Sequence, residues 1–250
     1  MELLLGHEDV NSDMPNKGGR TPLSWAAQEG DDGAVKLLLE REGVNPDMSD
    51  MRGRTPLSWA AFNWRGQAEN VVKLLLGREE VNPEMRENSG WTPLSWAASN
   101  WLSSVEDVMK PLLGRQDFNP DMPDNCGRTP LSWAALNWYG QAENTVKLLL
   151  EREGVKPDIL DNDGRTQLSW AGSNWNGEAE QAVKLLLWRK EVKPNMPDNH
   201  GRTPLSWAVV NWYGGAGSVA KLLWRREDIH PNIPDKCGRT PLSWVAEHGH

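Results

Sequence analysis

Gly53-Arg54-Thr55-Pro56-Leu57-Ser58-Trp59-Ala60-Ala61, followed by Val71-Val72-Lys73-Leu74-Leu75-Leu76 and then Val81-Asn82-Pro83, is one copy of a pattern that fills this chain. Thr-Pro-Leu-Ser-Trp, or its variant Thr-Gln-Leu-Ser-Trp, begins at Thr21, Thr55, Thr92, Thr129, Thr166, Thr203 and Thr240, at intervals of 34 and then five times 37 residues. A lysine column (Lys36, Lys73, Lys110, Lys147, Lys184, Lys221) and an arginine column (Arg41, Arg78, Arg115, Arg152, Arg189, Arg226) keep the interval of 37. Thr21 precedes Lys36 by 15 residues and Thr55 precedes Lys73 by 18, so the longer copies carry three extra residues between threonine and lysine. Repetition at a fixed period marks a stacked array, because one unit cannot bury its apolar faces alone. Nothing in the sequence reads as a linker or a second domain.

Within a unit the spacing predicts helix, turn, helix and an extended finger. Thr55 suits the N-cap and Pro56 the first helical position, where its missing N–H has no cost. Leu57, Ala60, Ala61 and Trp64 then recur at i, i+3, i+4 and i+7, one helical face. Gly66 permits the turn. Ala68, Val71, Val72, Leu75 and Leu76 form a second stripe that ends near Gly77. Asn82-Pro83 and the polar run to Gly90 are breaker and turn chemistry. An all-α chain follows. Pro111, inside an outer helix, predicts a kink. Gln167 and Gly172 depart from their columns, and Gly214, Gly215 and Gly217 loosen a turn, which marks a natural rather than an idealised sequence.

These motifs resemble the ankyrin repeat, over essentially the whole chain. Ser-Trp stands where many ankyrin units have histidine and leucine, which resembles the long arrays of fungal receptor-type (NOD-like) proteins. The usual unit is shorter than the five long copies, which bears on the shape of the groove. The resemblance implies a solenoid of antiparallel helix pairs with β-hairpin-like fingers. Its expected divisions are a half-repeat at 1–15, full repeats at 16–49, 50–86, 87–123, 124–160, 161–197 and 198–234, and a half-repeat at 235–250. It also implies that finger tips and the inner-helix face line a concave surface where partners bind.

Composition narrows the function. The 250 residues carry a formal charge of −8, against binding to a nucleic-acid backbone. No apolar run approaches the ~18 residues of a membrane helix, and Met1–Val10 is not a secretory signal. Two cysteines make no disulfide framework, so a cytoplasmic, reducing location is expected. Cys126 and Cys237 lie three repeats apart, ~30 Å at the ~10 Å spacing of packed helices, and are expected to be free thiols. Phosphate loops, dinucleotide fingerprints, zinc pairs and nucleophile elbows are absent. The serine column (Ser24, Ser58, Ser95, Ser132, Ser169, Ser206, Ser243) has no histidines in phase and is expected to bond neighbouring units. His248 and His250 are two ligands on a tail, too few for a metal site. No enzyme activity, cofactor or metal is expected.

Columns that stay constant between copies serve stacking, among them Trp25, Trp59, Trp96, Trp133, Trp170, Trp207 and Trp244. A second tryptophan column, Trp64, Trp101, Trp138, Trp175 and Trp212, is either core for the added turn or an aromatic platform for a small ligand or glycan. Varying columns are candidates for reading a partner, with drift at solvent positions as the alternative. They comprise Phe62, Leu136 and their equivalents on the inner helix, Arg65, Leu102, Tyr139 and Tyr213 beside the turn, and Arg52, Ser89, Cys126, Asp163 and His200 at the finger tips. Trp91, where the other six copies have arginine, is the leading anchor for a protein partner. Three functions compete: a recognition array of a larger intracellular protein, a self-assembling structural protein and a glycan binder. Complementary half-repeats at the two ends fit either a fragment of a longer array or head-to-tail association into filaments.

Overall fold

The computed structural model describes residues 11–62, 68–100, 105–137, 142–174, 179–211 and 217–247. The chain forms two compact units, Met1–Met122 and Pro123–His250. In the first, the helices are α1 (Pro22–Glu29), α2 (Asp32–Leu39), α3 (Pro56–Ala61), α4 (Glu69–Leu76), α5 (Pro93–Ser99) and α6 (Val105–Gly114). The second holds α7 (Pro130–Leu136), α8 (Ala142–Glu151), α9 (Gln167–Gly172), α10 (Glu180–Trp188), α11 (Pro204–Val210), α12 (Gly217–Trp224) and α13 (Pro241–Glu247). No strand occurs among the described residues, so the all-α class holds. In each unit an inner (odd-numbered) helix packs on the next inner helix and on its own outer (even-numbered) partner, and outer helices pack on outer helices.

The first turn of every inner helix is fixed by the repeated threonine. Thr21, Thr55, Thr92, Thr129, Thr166, Thr203 and Thr240 each accept the N–H of the serine three residues on, at 3.1–3.3 Å. That serine hydroxyl lies against the threonine hydroxyl of its own cap, at 3.1 Å in the Thr21–Ser24 pair. In α7 and α11 it also accepts the threonine N–H, completing a capping box. The serine column thus closes the start of its own helix, and does not mainly bond neighbouring units as expected. One cross-repeat bond to a serine does occur. The buried amide of Gln167 donates to Thr129 Oγ1 and Ser132 Oγ of the preceding repeat and to the Ile159 carbonyl, at 3.0–3.4 Å. Gln167 therefore replaces proline by adding a tie between two repeats of the second unit.

The core runs between the two helix layers. Leu23, Leu57, Leu94, Leu131, Leu168 and Leu205 on the inner helices are all buried, as are Val72 and Leu75 of α4 and Val183 and Leu186 of α10. The inner-helix alanines keep neighbouring helices close. Gly172 carries this furthest: a Cβ there would lie 2.7 Å from the Pro204 carbonyl oxygen, so this copy has lost even the methyl group. The helix α6 runs through Pro111 without interruption.

The arginine column has a role that its spacing did not disclose. Arg78 donates to the Leu39 carbonyl at 2.6 Å and Arg115 to the Leu76 carbonyl at 2.9 Å, and Arg189 donates to that of Leu150. Each seats a cation on the carboxyl end of the preceding outer helix, where orphan carbonyls and the helix dipole favour it. The lysine column is simpler. Lys73, Lys110 and Lys184 pair with the glutamate four residues earlier at the surface, contacts of small energetic weight.

Candidate functional site

Every finger after the first is a tight turn wound around a buried carboxylate. Asp50 Oδ1 accepts the N–H of Arg52 at 2.8 Å and of Arg54 at 3.0 Å, while the Asp50 N–H donates to the Arg54 carbonyl. Asp124, Asp161, Asp198 and Asp235 hold their fingers in the same way. Asn16 takes this place in the first finger and Glu87 in the third. Successive fingers are joined by single backbone bonds. In the first unit Asn88 N–H donates to Arg52 carbonyl at 2.8 Å, and in the second Asn162 donates to Cys126, Asn199 to Asp163 and Lys236 to His200. At the tips, then, the backbone does structural work while the side chain is left to vary.

The other carboxylate oxygen anchors a stack of arginines and tryptophans. Arg54 Nε lies 3.2 Å from Asp50 Oδ2, whereas Trp170 and Trp207 donate their ring N–H to Asp161 and Asp198 at 3.0 Å. In the first unit the Arg20 guanidinium sits over the rings of Trp25 at 3.5 Å and Trp59 at 3.8 Å, and Arg54 covers Trp59 at 3.7 Å. The second unit repeats the alternation. Arg165 lies over Trp170 and Trp207 at 4.7 and 4.3 Å, and Arg202 over Trp207 and Trp244 at 4.9 and 5.3 Å. Such contacts are worth ~0.5–2 kcal/mol each. Burial pulls the guanidinium of Arg20 below its ordinary pKa, and the neighbouring charge of Arg54 adds to the shift. Burial is also the main reason that the Asp161 carboxyl is raised, against the N–H bonds it accepts.

This alternation breaks at the third finger. Trp91 stands where the other fingers carry Arg20, Arg54, Arg128, Arg165, Arg202 and Arg239, and its ring packs on Trp96 with centroids 4.5 Å apart. Phe62 meets the same Trp96 edge-on at 4.9 Å. An all-aromatic cluster replaces the guanidinium–indole stack. Beside it opens a cleft of about 430 Å³ lined by Arg52, Arg54, Glu87, Asn88, Ser89, Trp91 and Trp96. That lies within the ~300–1,000 Å³ of ligand-sized pockets. Burial lowers the pKa of Arg54; the Asp50 carboxylate opposes the shift, and the nearby charge of Arg52 reinforces it.

The structure brings Arg52, Ser89 and Trp91 together, with Phe62 joined to them through Trp96. Trp91 is half-buried, as are Phe62 and Leu136. Arg52, Ser89, Cys126, Asp163 and His200 stand exposed at their finger tips, the last three in the second unit. Arg65, Leu102, Tyr139 and Tyr213, and the column Trp64, Trp101, Trp138, Trp175 and Trp212, lie outside the described residues. Sequence reasoning missed Arg54 and Glu87 as parts of the site. The signal was present, an acid or asparagine four residues before Trp91 and before each finger arginine, Arg20, Arg54, Arg128, Arg165, Arg202 and Arg239. Among the described residues no group of three or more His, Cys, Asp or Glu could hold a metal ion, and no helix is long and apolar enough to cross a membrane. Cys126 and Cys237 are exposed free thiols.

Stacked helix pairs joined by projecting fingers define the ankyrin class of repeat solenoids. The chain belongs to the ankyrin repeat family: the family model described as Ankyrin repeats (3 copies) matches residues 1–85, 42–119, 63–157, 102–198 and 138–235. It is similar to the solved ankyrin repeat protein EF0377, at 24% identity and a TM-score of 0.69, over 85% of this chain and 100% of that one. It is also similar to the ankyrin repeat domain of Bcl-3, described as a unique member of the IkappaB protein family. There the identity is 25% and the TM-score 0.71, over 91% of this chain and 95% of that one. No curated protein sequence shows significant similarity to the chain. Ankyrin repeat proteins generally mediate protein–protein interaction.

Proposed function

We propose that the chain is a non-enzymatic recognition module, the sensor or adaptor array of a larger intracellular protein, that binds another protein through finger tips and the inner-helix face. Its Ser-Trp units resemble those of fungal receptor-type arrays. The observation that carries the reading is the cleft at Arg52, Ser89 and Trp91. It opens where one finger gives up the arginine that its neighbours use for stacking, and puts a large aromatic in its place. Interface hot spots have this character, a part-buried tryptophan beside arginine. Two exposed free thiols suit a reducing compartment.

The test uses a substitution that the chain itself provides. Trp91→Arg restores the residue of the other six copies, so the fold should tolerate it. Displayed peptides and protein fragments selected on the wild type should lose affinity for Trp91→Arg by ~30-fold or more, the equivalent of a ~2 kcal/mol hot spot. Binders that hold the two proteins equally well would remove the cleft from the function.

A further inference from the structure

We propose that the cleft beside Trp91 takes an acidic peptide segment of the partner, one that places a carboxylate between Arg52 and Arg54 and an adjacent aromatic or branched apolar side chain against Trp91 and Trp96. The inference deepens the function proposed above and rests on it.

Two cations meet at this cleft, and they differ in how far the chain satisfies them. Arg54 is half-buried. One face of its guanidinium lies on Trp59 and its Nε is held by Asp50. Arg52 stands exposed at the tip of the same finger, and among the described residues its side chain makes no hydrogen bond or ion pair. The carboxylate of Glu87, which also lines the cleft, is buried, and its Oε1 is occupied by the N–H groups of Ser89 and Trp91. The rim thus offers guanidinium N–H donors, together with the Ser89 hydroxyl, while the Glu87 Oε1 is turned to its own backbone. Guanidinium groups match a carboxylate by paired N–H donors, a geometry that a lysine or a neutral group does not reproduce.

The aromatic wall sets the second requirement. Trp91 and Trp96 present carbon surface beside the cations, so a carboxylate alone would leave this aromatic wall uncovered. A charged and an apolar side chain on neighbouring residues of one segment fill both. The chain as a whole carries a charge of −8, so long-range attraction does not bring an acidic partner here. Recognition must come from this local pair of cations at short range, and salt should weaken it.

Position 52 can be reversed in charge without touching the fold. Asp163 stands at the same tip position in a later copy, and the backbone there, not the side chain, joins the fingers. The experiment selects displayed heptapeptides on the wild-type chain with counter-selection on Trp91→Arg. It then measures each survivor against wild type, Arg52→Asp and Trp91→Arg at low and high salt. The survivors should carry Asp or Glu beside Phe, Tyr, Trp, Leu or Ile. Affinity should fall at least tenfold for Arg52→Asp and also decline with salt. Resynthesis with a free or amidated carboxyl end separates a side-chain carboxylate, the expected source, from a terminal one. Survivors that are neutral or basic, or indifferent to Arg52→Asp, would overturn the acidic partner while leaving the cleft in place. An affinity carried by the terminal carboxylate alone would overturn the internal segment. A selection that yields only peptides bound equally by Trp91→Arg, or none, would defeat the cleft itself and this proposal with it.

Discussion

At the scale of the residue, two carboxylates that cross between repeats are each satisfied at only one oxygen. Asp47 Oδ2 accepts the N–H of Asn82 at 2.8 Å, and Asp158 Oδ2 accepts that of Lys193 at 3.0 Å. Burial raises both carboxyls above their ordinary pKa, with these N–H bonds opposing the shift, and Oδ1 of each is a buried acceptor without a partner. The chain shows the alternative one copy later. Asn195 accepts the His230 N–H at 2.7 Å and uses its amide to donate to the Asp228 carbonyl at 2.6 Å. A raised folded-state pKa means that Asp158 favours the folded state below the ordinary carboxylate range and loses that contribution as pH rises through its folded value. Asp158→Asn should therefore stabilise the protein near neutral pH, by about 1 kcal/mol, the scale of a satisfied buried polar group. The gain should shrink or vanish at about pH 3, below the ordinary carboxylate pKa. Urea midpoints of both proteins at the two pH values check this; a gain independent of pH would contradict the burial argument.

At the scale of the element, the finger is the part whose geometry is least forgiving. Gly127 has φ +79, and a Cβ added there would lie 2.8 Å from the Asn162 backbone nitrogen of the next finger. Gly238 has nearly the same φ, +78, with nothing within 4 Å. The pair separates two costs. Gly238→Ala should show the left-handed backbone penalty alone, ~1–2 kcal/mol. Gly127→Ala should add an overpacking cost of ~1–3 kcal/mol, because the next finger must move. Thermal or denaturant unfolding measures the difference, and equal losses would show that adjacent fingers do not constrain one another. The helices, by contrast, announce themselves. Threonine caps, N1 prolines and apolar stripes act within one or two turns, so their positions follow from residues close together in sequence.

At the scale of the whole molecule, repetition makes one copy a control for another, including at the surface. Trp188 is 86% exposed at the end of α10, where earlier copies carry Glu40, Gly77, Gly114 and Glu151. Trp188→Glu should change stability by no more than ~0.5 kcal/mol, as surface substitutions do. A larger loss in a thermal melt would show that this indole packs against something. The sequence by itself determined the period, the helix pairs, the caps, the buried leucines and the column in which Trp91 is the exception. Each is written in local spacing or in the comparison of one copy with the next. The tertiary structure decided which columns meet. It made the carboxylate four residues before Arg54, Arg128, Arg165, Arg202 and Arg239 the centre of a finger, and it interleaved Arg165 between Trp170 of its own copy and Trp207 of the next. It also turned the serine column inward to its own cap and half-buried Trp91 against Trp96 beside the cleft. The repeat spacing says that two columns run in parallel, but stacking sets the offset at which their side chains touch. Contacts between copies join residues some 32 to 39 positions apart, and no local rule of helix or turn fixes the distance across that gap.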